Sequence, residues 1–144
     1  VSRPTVALHL HCDGAGAERT GKPGGWAWLA VEDDVVVAHG SGRLAKTSSL
    51  VMELTAVLSA LEAALAHGWH ETYALVLCSD STIALDVAKG TFLPKPPQYR
   101  ALCERVRAAF VASRATAMWV RGHAGQKWNE AVDALAAKAR DAEG

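Results

Sequence analysis

The chain is poor in several features that would mark it as a particular class of protein. It has three cysteines, Cys12, Cys78 and Cys103, an odd number with no CxxC pair. That points away from a disulfide framework and from a zinc knuckle, and leaves them as small apolar core residues. No uninterrupted apolar run approaches the roughly 18 residues of a membrane span. The start, Val1-Ser2-Arg3-Pro4-Thr5, shows none of the n-region, h-region and cleavage-site pattern of a secretory signal. A cytoplasmic location without a membrane partner is therefore expected. Internal repeats, low-complexity tracts and linkers are missing too, so a single domain is expected over residues 1–144, with its core in 5–142.

Net charge is also missing, since 15 Lys and Arg balance 15 Asp and Glu. The charges are not evenly spread. Residues 1–88 hold five basic and ten acidic side chains, whereas residues 89–114 hold Lys89, Lys95, Arg100, Arg105, Arg107 and Arg114 against Glu104 alone. An acidic half joined to a basic stripe suits a cation site beside a phosphate-binding surface, and a solvated helix face would look the same.

Periodicity supplies the elements. Residues 6–12 alternate Leu8, Leu10 and Cys12 against His9 and His11 and stop at Asp13-Gly14, which predicts a strand. Strands are also predicted over 26–32 and 35–43, joined by an acidic hairpin turn, and over 73–79 and 116–121. Leu54, Val57, Leu58, Leu61 and Leu65 repeat at helical spacing within a helix over 50–67, capped by Ser48 or Ser49. Further helices are predicted over 81–89, 99–112 and 128–142. The order β-β-β-α-β-α-α-β-α implies an α/β fold, a five-stranded mixed sheet with helices on both faces.

Asp13 and Asp80 both end predicted strands at the carboxyl edge, where open α/β sheets place their sites. Glu53 falls in the first turn of the long helix and Asp133 in the first two turns of the last. Taken singly, each acid has an ordinary structural reading as turn residue, helix-dipole charge or cap. If those ends pack together, the four carboxylates repel unless hard divalent cations neutralise them, and Mg²⁺ is the usual ion beside phosphates. His9 and His11 share the strand face of Asp13 and are not counted as ligands. Trp26, Trp28 and Trp119 are read as core.

The words around these acids occur in one order: Asp13-Gly14-Ala15, Met52-Glu53-Leu54, Ser79-Asp80-Ser81, then Val120-Arg121-Gly122-His123 with Asn129-Glu130 and Asp133. Over nearly the whole chain this resembles ribonuclease H of type 1, in a compact form. The resemblance implies the RNase H-like fold and an endonuclease that hydrolyses the RNA strand of RNA–DNA hybrids, leaving 5′-phosphate and 3′-hydroxyl ends. It implies two Mg²⁺ ions about 4 Å apart, with Mn²⁺ as a substitute and no organic cofactor. Asp13 would bridge the ions, Asp133 would help hold the water-activating one, and Glu53 and Asp80 the one at the leaving oxygen. His123 would assist proton transfer or product release. Gly14, Lys46, Ser48, Ser49 and Asn129 match substrate-contacting positions, Lys46 and Ser48 at a phosphate of the DNA strand. A monomer is expected.

The chain departs from the family in two places. Ser49 and Leu50 stand where relatives carry amides that read the RNA strand, and Gly21-Lys22-Pro23-Gly24 replaces a loop with a third amide. The stretch between Asp80 and His123 is too short for the basic helix and loop of well-known bacterial members, and the stripe of residues 89–114 is the candidate to replace it. Two alternatives stay open: a structure-specific or DNA-directed nuclease of the same fold, and a non-catalytic hybrid-binding module.

Overall fold

Alternation makes the centre of the sheet. In β1 (Ala7–Ala15), Leu8, Leu10 and Cys12 point to one face and His9, His11 and Asp13 to the other. The computed structural model describes residues 4–16, 21–122 and 125–142. β2 (Lys22–Glu32) and β3 (Val35–Thr47) continue from β1 as an antiparallel meander. β4 (Ala74–Ser79) lies parallel to β1 on its other side, and β5 (Thr116–Trp119) parallel to β4, giving the order β3-β2-β1-β4-β5. The expected five-stranded mixed sheet is present.

The tight turn between β2 and β3 places Asp33 and Asp34 at φ 48° and 63°, a conformation that favours glycine or asparagine. Asp34 is held there by Lys127 Nζ at 3.2 Å and by the Trp128 indole N–H at 3.2 Å, so the hairpin is tied to the start of the last helix.

The helices divide between the faces. α1 (Ser49–Ala66), α3 (Thr82–Lys89) and α4 (Arg100–Ser113) cover one side, where Leu8, Leu10, Leu54, Val57, Leu61, Leu77 and Val106 form the larger core. α5 (Lys127–Asp141) covers the other through Val132 and Ala136 against Ala27, Leu29 and Val31. Ser48 caps α1, its hydroxyl accepting from Val51 N at 3.3 Å, and Ser81 caps α3 by accepting from Ala84 N at 3.1 Å.

Several expectations change. β1 runs on through Asp13 to Ala15 because β2 continues to pair with it there, Asp13 opposite Ala27 and Gly14 opposite Trp26. Since Ser48 is the cap, Glu53 sits in the second turn of α1, not the first. α2 (Trp69–Thr72), a single turn, was not expected. Trp119 is 51% exposed, not core, because it lies on the short β5 at the sheet edge. No unbroken apolar run is present, yet α1, interrupted by Glu53, Thr55, Ser59 and Glu62, has the length and mean hydropathy of a membrane span, 18 residues at 1.6. Here Met52, Leu54, Ala56, Val57, Leu58, Ala60, Leu61 and Ala64 of that helix are buried in the fold.

Candidate active site

Strand register sets the first pair of acids. Cys12 of β1 is the parallel partner of Ser79 of β4, so Asp13 and Asp80 follow side by side at the carboxyl ends of the two central strands. Asp80 is then fixed from three sides. The Trp119 indole N–H donates to its carbonyl at 3.2 Å, Asn129 Nδ2 donates to its Oδ2 at 3.5 Å, and Gly122 passes so near that a Cβ there would lie 2.8 Å from Oδ2.

Gly14 brings in the third acid. A Cβ at this position would meet Glu53 N and Met52 C at 2.5 Å, so only glycine lets α1 cross the end of β1. The crossing delivers Glu53 beside Asp13. One carboxylate oxygen from each of Asp13, Glu53 and Asp80 then lies within 4.8 Å of the others. Asp133, on α5 across the sheet from α1, comes near enough to Asp13 to contribute to its titration, although it does not join the tight trio.

The electrostatics are those of an uncompensated anionic cluster. Asp13 is 3% exposed, and its carboxyl is pushed up to about 10, first by burial and then by the charge of Glu53, with Asp133 and Asp80 adding. Glu53 is pushed up to about 8, by burial and then by Asp80. The main chain of Gly14 and a hydrogen bond with Asp13 pull it down without prevailing. The Gly14 N–H donates to Asp13 Oδ1 at 2.9 Å, while Glu53 Oε2 is buried with no hydrogen-bond partner among the described residues. A buried acceptor of this kind costs free energy unless something satisfies it. Oxygen donors, excess negative charge and an orphaned carboxylate oxygen together fit a hard divalent cation.

The other expected residues are placed as follows. Lys46 is exposed near the end of β3, Ser48 spends its hydroxyl on the α1 cap, and Ser49 is exposed under Gly16, whose missing Cβ makes room for it. Leu50 is partly buried against the larger core. Asn129 is buried, its main-chain N–H capped by the Gln126 side chain, and its amide is turned to Asp80. His123 lies outside the described residues. Within the basic stripe, Arg105 bridges Glu62 of α1 at 3.2 Å and Lys89 pairs with Asp86 at 3.4 Å.

Sequence reasoning missed the parts played by Trp119 and Asn129 toward Asp80. The signal for the first was the side-by-side pairing of Ser79 with Trp119, which needs the sheet order to be known.

Comparison with known proteins converges on one family. The RNase H family profile matches residues 5–141. A ribonuclease H of Treponema pallidum is 33% identical, the match covering 93% of this chain and 90% of that protein. The RNase H1 of the halophilic archaeon Halobacterium salinarum superposes with a TM-score of 0.79 at 28% identity, over 94% of this chain and 98% of its own. LC11-RNase H1, solved in complex with an RNA/DNA hybrid, has the same fold, with a TM-score of 0.78 at 17% identity over 93% of this chain and 96% of its own.

Proposed function

The chain belongs to the RNase H family of hydrolases, and from that premise we propose that it is an endonuclease cutting the RNA strand of RNA–DNA hybrids with divalent cations, Mg²⁺ or Mn²⁺, at Asp13, Glu53, Asp80 and Asp133. The observation that carries the reading is the convergence of Asp13, Glu53 and Asp80 within 4.8 Å, with Glu53 Oε2 left unsatisfied among the described residues. Asp13, Glu53 and Asp80 would hold one side of the cation pair and Asp133, with Asp13, the other.

Cations bound there lower the pKa of water and neutralise charge on a phosphate, so no protein nucleophile is required, and 5′-phosphate and 3′-hydroxyl products follow. The protein's part is to aim its acids, whose ionisation burial disfavours and bound cations would restore. The Gly14 N–H fixes the rotamer of Asp13. Asn129 and Trp119 set the position of Asp80 through its carboxylate and its carbonyl. Because these donors are already in place, little reorganisation is needed when phosphate arrives. His123, next after Gly122 in sequence, is assigned proton transfer or product release.

Substrate selection rests on fewer side chains than in relatives. Leu50 is turned into the core and offers no hydrogen bond, which leaves Ser49, Gly14 and main-chain groups to meet 2′-hydroxyls. Lys46 is exposed to take a phosphate of the DNA strand. LC11-RNase H1, which shares the fold, binds such a hybrid. A gel comparing labelled hybrid, duplex RNA, duplex DNA and branched DNA in Mg²⁺ is the test. Cleavage confined to the RNA strand of the hybrid supports the reading. An intact hybrid beside another cut substrate contradicts it.

A further inference from the structure

On the α5 face of the sheet, which Asp13 also faces from two residues beyond His11, lies a cavity of about 290 Å³ under the start of α5. His9, His11, Asp33, Met118 and Gln126 are among the residues lining it. His9 and His11 are separated by one residue on β1, so both imidazoles leave the strand on the same side. Their ring centres are 6.1 Å apart and their planes differ by 22°. Two imidazoles sharing one ion through Zn–N bonds of about 2.0–2.1 Å have ring centres roughly 5–6 Å apart. The observed spacing is at the outer edge of that range, and the near-parallel rings have to turn about χ2 to aim one nitrogen each at a shared ion.

We propose that His9 and His11 form a second cation site, for a borderline divalent ion of the Zn²⁺ and Cu²⁺ class, in the cavity between β1, the Asp33-Asp34 turn and the start of α5. His11 is 4% exposed and packs on Trp128 with ring centres 6.5 Å apart, so its ring loses little freedom on binding. Asp34 is engaged by Lys127 and Trp128, and Asp33 lines the cavity without converging on the two imidazoles, so water would complete the shell. Imidazole nitrogens prefer zinc, copper and nickel, whereas Mg²⁺ takes oxygen ligands. The two sites of this chain therefore select different cations. An ion here ties the central strand to the hairpin turn and to α5, whose contact with the turn is already made by Asp34.

This site is independent of the catalytic reading and is tested without activity. Untagged protein carrying Asp13→Asn and Glu53→Gln is given one equivalent of Cu²⁺ and examined by electron paramagnetic resonance. Nitrogen couplings from two imidazoles are expected. His9→Gln in the same background, at a half-buried position, is expected to abolish that pattern and weaken binding at least tenfold. Absence of nitrogen couplings, or couplings unchanged by His9→Gln, overturns the proposal. A zinc-edge anomalous map from Zn²⁺-soaked crystals of the unaltered chain answers the same question without a variant. A peak between the two rings supports the site, and zinc bound only elsewhere overturns it.

Discussion

Asp13→Asn separates the chemistry of the acidic cluster from its effect on stability. In the cation-free protein the Asp13 carboxyl is raised to about 10 and Glu53 to about 8. The folded state therefore holds protons that the unfolded chain gives up near pH 4. Where the native state binds more protons, stability falls as pH rises. For Glu53 the loss runs from about pH 4.5 to about 8, and for Asp13 from about 4 to about 10. At roughly 1.4 kcal/mol for each pH unit, Asp13 alone sets a ceiling of about 4 kcal/mol at pH 7. Asp13 and Glu53 share one repulsion, and solvent relaxation weakens it, so about 2 kcal/mol is the working figure. Asparagine keeps the shape and removes the charge. Calorimetry in EDTA at pH 8 should then show Asp13→Asn melting about 5 °C above the unaltered protein, with the gap closing at pH 5. Adding Mg²⁺ should raise the unaltered protein more than the variant, since only the former regains a full set of ligands. A variant melting at or below the parent in EDTA at pH 8, with no dependence on pH, would refute the picture of a frustrated anionic cluster.

Two other substitutions probe the scaffold. Gly14→Ala places a methyl against the backbone of Met52 and Glu53; a loss of about 1–3 kcal/mol in urea unfolding is expected, with cleavage reduced at least tenfold as Glu53 moves. Asn129→Ala removes the amide that meets Asp80 Oδ2. Groups that orient metal ligands typically contribute about 10–100-fold, so steady-state kinetics should show that drop in kcat at saturating Mg²⁺, with KM for hybrid little changed.

The sheet was legible from the alternation of Leu8, Leu10 and Cys12 and from the hairpin turn, and the helices from the Leu54 to Leu65 spacing. What sequence could not supply depends on partners. That β1 continues past Asp13 is decided by β2 lying opposite it, and the single turn of α2 follows a glycine that closes the preceding helix. The four acids were identified by their order and neighbouring words, not by composition. Their geometry shows three tightly grouped and Asp133 outside that trio, its charge felt by both Asp13 and Glu53. Asn129, expected at the substrate, is buried and turns its amide to Asp80 Oδ2, a contact that sequence alone does not show. The basic stripe could be read from sequence as a phosphate surface or a solvated helix face; Arg105 and Lys89 are engaged by Glu62 and Asp86, since α4 packs beside α1 and Asp86 lies one turn before Lys89 on α3.

The most direct measurement is the anomalous scattering of crystals soaked in Mn²⁺. Two manganese peaks are expected, both coordinated by Asp13, one shared with Glu53 and Asp80 and the other with Asp133. A map with no manganese among these four carboxylates would contradict a cation-dependent nuclease built on them.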